Sequence, residues 1–299
     1  MTEERERLMA ICRQVRSDIV SMIGKAGSGH PGGSLSATEL VCGLYFGGIL
    51  KYRPEDPEWE GRDRFILSKG HAGPLLYSVL ARAGFYSPDE MQHLRELGSI
   101  LQGHPHAERI PGFECSAGSL GQGLSVANGL AFAFRRTGHP GRVYCLMGDG
   151  ELQEGSVWEA VMTAAQHHLD NVCALVDYNH VQLDDTVENI KALGDLCEKF
   201  TDFGWNAIEV DGHDVINVVE AYKIAEALKG APTVIIANTV KGKGVSYMEG
   251  DPAWHGTAPN AEQLERALSD IAGGNGFEKY LEEDYDSEEE APEGEVSPL

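Results

Sequence analysis

Long apolar runs are missing from this sequence. None approaches the roughly 18 residues a membrane-crossing helix needs, and the opening Met1-Thr-Glu-Glu-Arg-Glu-Arg7 is charged where a secretory leader would carry its apolar core. Positive charge is scarce: 24 Lys and Arg stand against 47 Asp and Glu, a formal net charge of −23. Nucleic acids and anionic membranes are held by positive surfaces, so both are poor candidates for partners. No Cys-x-x-Cys pair occurs among Cys12, Cys42, Cys115, Cys145, Cys173 and Cys197. Several of these lie in apolar runs and read as buried thiols, which leaves neither a disulfide frame nor a zinc site. There is no internal repeat, and no Gly-x-Gly-x-x-Gly follows a first strand, which excludes the usual nicotinamide fingerprint. A soluble, cytoplasmic protein is the expectation.

Glycine, by contrast, is abundant: 36 of 299 residues, against a usual share of about 7%. It allows the backbone to come close to a ligand in several turns. The acids are concentrated at the end, where Glu282–Leu299 holds nine Asp and Glu and no Lys or Arg. Such a stretch buries too little apolar surface to offset its ordering entropy. The expectation is one domain over residues 1–275, followed by a disordered acidic segment over 276–299.

Periodicity supplies the fold class. Leu8, Ile11, Cys12, Val15, Ile19, Met22 and Ile23 recur at helical spacing, and the helix they predict stops in the five-glycine stretch Gly24–Gly33. Further helices are predicted over about 37–49, 74–83, 121–136, 156–168, 191–203, 215–228 and 261–271. Between them lie the short apolar runs Arg64–Ser68, Val143–Met147, Val172–Val176, Trp205–Val210 and Thr233–Asn238. These runs are nearly continuous, not alternating, as in parallel strands covered on both faces. The fold class is therefore α/β, a doubly wound parallel sheet flanked by helices. Ligands of such sheets bind beyond the carboxyl ends of the strands.

The chemistry is concentrated at those ends. Gly148-Asp149-Gly150 closes one strand, and Asp177-Tyr-Asn179 closes the next. If the strands are neighbours, Asp149 and Asn179 bring hard oxygen donors to one place, and magnesium is commonly held by one or two such groups plus phosphate. The glycines admit a phosphate, and the helix after Gly150 aims its N-terminus there. His30, His71, His104 and His255 each sit next to Gly or Pro in a predicted loop at this end, whereas His139, His167 and His168 read as structural. Neutral imidazoles can hydrogen-bond sugar hydroxyls and pass protons.

Gly148-Asp149-Gly150 with Asn179 resembles the thiamine-diphosphate motif. Ser28-Gly-His-Pro-Gly32, Leu67-Ser-Lys-Gly-His71, Gly103-His-Pro105, Gly118-Ser-Leu-Gly-Gln-Gly123, Gly148-Asp-Gly-Glu-Leu-Gln-Glu-Gly155 and His255-Gly-Thr-Ala-Pro259 are similar to transketolase motifs, in the family's order. The resemblance implies a thiamine-diphosphate-binding fold with thiamine diphosphate and Mg2+ as cofactors. It implies Asp149, Asn179 and the Val181 carbonyl as metal ligands. It makes His71, Gly150, Asn179 and His255 cofactor contacts, with Gly118, Ser119 and Leu120 beneath the cofactor's bend. His30, His104 and His255 line the sugar end, and Glu154 resembles an interface carboxylate.

Ser119, Lys69 and His180 depart from residues usual in the larger transketolases, and Lys241-Gly-Lys-Gly244 replaces a more apolar loop. That basic pair could meet phosphate or lie in a solvated loop. Nothing after Ala261 could supply a pyrimidine-binding domain, so the chain resembles the N-terminal subunit of a split transketolase. The implied partner is a C-terminal, pyrimidine-domain subunit in an α2β2 assembly acting on sugar phosphates. The α subunit of a 2-oxo acid dehydrogenase and a non-catalytic binding protein on the same scaffold are the alternatives. The Gly-His-Pro motifs and the intact Asp149 and Asn179 argue against them.

Overall fold

A computed structural model describes residues 2–277 and residue 280; the acidic stretch from 281 onward lies outside the described residues. Helix α1 (Thr2–Ala26) carries Glu3 and Glu4 in its first turn and Lys25 in its last, which suits the helix dipole. Its stripe of Leu8, Cys12, Val15, Ile19 and Ile23 is buried, as the spacing predicts. Helices α2 (Pro31–Ser36), α3 (Thr38–Phe46), α4 (Gly73–Arg82), α5 (Gly123–Thr137), α6 (Gly155–Gln166), α9 (Val215–Ala227) and α10 (Ala261–Gly273) follow in chain order, with two short helices between α6 and α9.

The single helix expected over 191–203 is instead α7 (Val187–Lys191) and α8 (Leu196–Asp202). Gly194 stands between them in a left-handed conformation, φ +63°, and Asp195 starts α8 afresh by accepting the Glu198 N–H. The short α2 has no counterpart in the periodicity, because it lies in the glycine-rich stretch and starts from Pro31 at its first position.

The strands are β1 (Arg64–Leu67), β2 (Val143–Gly148), β3 (Val172–Tyr178), β4 (Asn206–Asp211) and β5 (Thr233–Asn238). They form one sheet in the order β1-β2-β3-β5-β4, with every pairing parallel. Successive side chains of a strand point to opposite faces, and both faces are covered. Leu146, Cys173, Leu175 and Ile235 join α1, α3, α4 and α9 in one core. Cys145, Met147, Ala174, Val176 and Ile236 join α5, α6 and α8 in the other. Crossovers between parallel strands are right-handed. The β2–β3 and β4–β5 connections run in opposite directions along the sheet, so their helices α6 and α9 fall on opposite faces. Phe277 and Tyr280 are buried in the first core, so packing continues past residue 275.

Registration aligns the carboxyl ends. Gly148 pairs with Asp177, and Asp177 pairs with Ala237. The loops after β1, β2, β3 and β5 therefore leave the sheet side by side.

A sheet covered on both faces should be equally sensitive on each. Leu146→Ala and Met147→Ala, neighbours pointing into different cores, should each cost about 2–5 kcal/mol in denaturant unfolding. A near-neutral result for either would mean that its face is not packed.

Candidate active site

A cavity of about 480 Å³ opens at the aligned strand ends. Lys69 and His71 reach it from the loop after β1, Gly148 to Glu151 from the end of β2, Asn179, Val181, Gln182 and Leu183 from the loop after β3, and Lys241 from the loop after β5. Gly33, Leu120, Glu154 and His255 complete much of the wall. Glycine allows a close approach at one of these positions and open space at another. A Cβ on Gly33 would lie 3.0 Å from His71 Nε2 and 3.3 Å from Lys69 Nζ. Beside Gly148 a Cβ would meet nothing closer than Lys69 Cδ at 4.0 Å, which leaves room for a ligand against the backbone.

Asp149, buried at the end of β2, accepts the Gly150 N–H at 2.7 Å and the His180 N–H at 2.6 Å. His180 donates that N–H from a left-handed conformation, φ +63°, a region that favours glycine. Burial, and then the charge of Asp177, push the Asp149 carboxyl up to about 7 against the opposing effect of those N–H groups and Lys69. Asn179 Nδ2 donates to Asp177 at 3.0 Å, which turns Oδ1 away from Asp177, towards the Val181 N–H at 3.2 Å. Carboxylate, amide oxygen and the Val181 main chain thus share one wall.

Two lysines are buried here. Lys69 forms an ion pair with Asp177. Lys241, only 2% exposed, donates to the carbonyls of Val181 at 2.8 Å and Gln182 at 3.1 Å and contacts His255 Nδ1 at 2.8 Å. Among the described residues no carboxylate pairs with it. Burial, and then Lys69, lower its ammonium to about 8.

The four loop histidines come together. His30 lies 5.6 Å from His71, 6.0 Å from His104 and 5.5 Å from His255 between ring centroids, and His71 stacks on His255 at 5.2 Å. Burial is the first cause that lowers each of them. His30 falls to about 4, with Arg95 and His104 adding to the effect, and His255 to about 3, with Lys241 adding. His71 is lowered chiefly by burial and Lys69. Burial thus favours the neutral form of all three imidazoles at pH 7, in which one ring nitrogen donates and the other accepts. The buried nitrogens His30 Nδ1 and Gln182 Nε2 have no hydrogen-bond partner among the described residues, as befits groups that await a polar ligand.

Gly118 and Ser119 lie exposed on the loop ahead of Leu120; a Cβ on Gly118 would meet the His104 ring at 3.7 Å. Glu154 is exposed at the cavity wall. Sequence reasoning misses Glu151. Its buried carboxylate accepts the Ser68 hydroxyl, the Gly121 N–H at 2.8 Å and the Gly148 N–H at 3.1 Å. It thereby ties the loop after β1 and the 118–123 loop to the end of β2. It misses Asp177 as well, although the Asp-Tyr-Asn spacing points at its neighbour. Of the two readings open for Lys241, the solvated loop is excluded by its burial.

Residues 5–280 match the family model described as transketolase, thiamine diphosphate binding domain. The chain is 40% identical over 257 residues to an apulose-4-phosphate transketolase subunit from Phocaeicola vulgatus, covering 86% of this chain and 91% of that protein. It is 39% identical to a 6-deoxy-6-sulfo-D-fructose transketolase subunit from a Clostridium species, covering 91% of this chain and 98% of that one. Transketolase from Campylobacter jejuni superposes with a TM-score of 0.82 at 32% identity, over 90% of this chain but 43% of that longer one.

The neutral histidines make stability depend on pH with a definite sign. Free histidine takes up a proton near 6.5, whereas folded His30 and His255 resist until about 4 and 3. Below 6.5 protons therefore favour the unfolded chain, and stability present above that pH is lost as pH falls. The melting temperature should drop between pH 7 and pH 4, and the drop should be shallower in a His30→Asn/His255→Asn variant. Equal slopes would show that the two rings are not desolvated.

Proposed function

The chain belongs to the transketolase family as its thiamine-diphosphate-binding domain, matched over residues 5–280, and on that premise we propose that it is the N-terminal subunit of a split transketolase. The enzyme would transfer a two-carbon ketol unit from a ketose phosphate to an aldose phosphate, in a site completed by a separate pyrimidine-domain subunit, with two copies of each. The observation that carries this reading is Lys241, a buried cation with no carboxylate partner among the described residues, set beside hard oxygen donors in one cavity. Such a wall suits a diphosphate and a divalent cation together.

In this reading Asp149, Asn179 and the Val181 carbonyl hold Mg2+. The charge of the cation would offset the cost of the burial that raises the Asp149 carboxyl. His71, the Gly150 backbone, His255 and Lys241 hold the diphosphate, and Gly118, Ser119 and Leu120 support the middle of the cofactor. Bound thiamine diphosphate supplies an electron sink for breaking and forming a carbon–carbon bond beside a carbonyl. The chain's own side chains bind and orient substrate: His30, His104 and His255 hydrogen-bond the sugar hydroxyls and exchange protons with them at their ring nitrogens.

A partner is supported by the two relatives named as subunits, which this chain spans almost fully. It is also supported by Val126 and Phe132 on α5 and Met162 on the adjacent α6, which are exposed apolar side chains of the kind obligate interfaces bury. Glu154, exposed near the start of α6, would meet the partner.

Reconstitution tests the proposal. The purified chain with thiamine diphosphate, Mg2+, xylulose 5-phosphate or other ketose phosphates, and ribose 5-phosphate should form no triose phosphate until a pyrimidine-domain chain is added. In the reconstituted enzyme His30→Ala should lower turnover about a hundredfold with cofactor affinity unchanged. Robust turnover by the chain alone would overturn the split-subunit reading.

A further inference from the structure

Behind the cavity lies a buried cluster that touches neither cofactor wall nor substrate histidine. Arg16 on α1 and Glu39 on α3 form an ion pair, with a second contact of 2.7 Å between Nη2 and Oε2. His213, in the loop after β4, approaches Glu39 with Nδ1 at 3.0 Å from Oε2. All three are nearly inaccessible. Burial alone would raise the Glu39 carboxyl, but the charge and hydrogen bonds of Arg16, with those of His213, hold it at about 2.

The cluster grips one loop at both ends. The Val240 N–H donates to His213 Nε2 at 2.8 Å, which puts the ring proton on Nδ1, towards Glu39. Arg16 Nε donates to the Lys243 carbonyl at 3.1 Å. Between these anchors the Gly242 N–H donates to the Gly32 carbonyl at 3.0 Å, with Gly242 at φ +78°. Lys241 is the residue so enclosed. Its stem runs against Gly32, where a Cβ would lie 3.0 Å from Lys241 Cγ. A lysine ammonium is strongly hydrated and its stem is flexible, so a free loop would let it swing into water. The anchored backbone removes that escape.

We propose that His213, itself held by Glu39 and Arg16, is a positioning residue that clamps the 240–243 loop and so keeps Lys241 aimed into the cavity for an anionic ligand. The inference rests on the reading of Lys241 as a diphosphate contact. His213 makes no contact with the cavity and acts only through the loop.

The full chain and three variants test it. His213→Phe keeps the bulk and removes both hydrogen bonds. His213→Gln keeps an acceptor for the Val240 N–H. Lys241→Met removes the cation. The readouts are amide hydrogen exchange over residues 240–243 in the ligand-free chain, affinity for magnesium thiamine diphosphate, and melting temperature. His213→Phe should speed exchange in that segment and weaken affinity about three- to tenfold, the worth of a hydrogen bond. His213→Gln should restore both, at a melting temperature like that of His213→Phe. Unchanged exchange in His213→Phe, or an affinity loss that Gln does not rescue, would overturn the clamp. Unchanged affinity in Lys241→Met with faster exchange in His213→Phe would instead overturn the assignment of Lys241 to the diphosphate.

Discussion

Asp177 is fully buried at the end of β3, and three other segments, with the residue that follows β3, are organised by what it accepts. It pairs with Lys69 after β1 and takes hydrogen bonds from Ser36 at the end of α2, Thr239 after β5 and the Asn179 side chain. Burial alone would raise its carboxyl; the Lys69 charge and these hydrogen bonds outweigh that and keep it lowered. An isolated buried charge costs several kcal/mol, so the carboxylate persists only while all its partners converge on it. That convergence brings the strand-end loops to common positions. It also fixes the Asn179 amide and adds to the electrostatic load that raises Asp149.

A second consequence is the division of charge in the cavity. Lys69 is matched by Asp177, whereas Lys241 is left to carbonyl oxygens and an imidazole. The surrounding histidines are kept neutral by burial and by these same ammonium groups. An overall acidic protein, −23 in formal charge, thus carries a local site suited to an anion. Net charge argues against nucleic acid as a class of partner but is silent on this pocket, since a few buried cations hardly alter the total.

The fold is legible in the sequence because parallel strands covered on both faces need continuous apolar runs, and Val143–Met147, Val172–Val176 and Thr233–Asn238 supply them. The break at Gly194 is not, because apolar residues on either side keep helical spacing while one glycine takes a left-handed φ that interrupts the helix. Asp149, Asn179 and the loop histidines are legible from spacing and from Gly or Pro neighbours. Glu151, Asp177 and Lys241 are harder to read. Whether a charged side chain is solvated or buried depends on partners far along the chain, such as Ser68, Lys69 and the Val181 carbonyl, and local pattern carries no trace of them.

The claim most exposed to test is that this cavity holds thiamine diphosphate through a divalent cation on Asp149. Calorimetric titration of the chain with thiamine diphosphate, with and without Mg2+, addresses it directly. Binding should require Mg2+ and should be lost in Asp149→Ala while the melting temperature of the ligand-free chain does not fall. Equal affinity without Mg2+, or in Asp149→Ala, would contradict it.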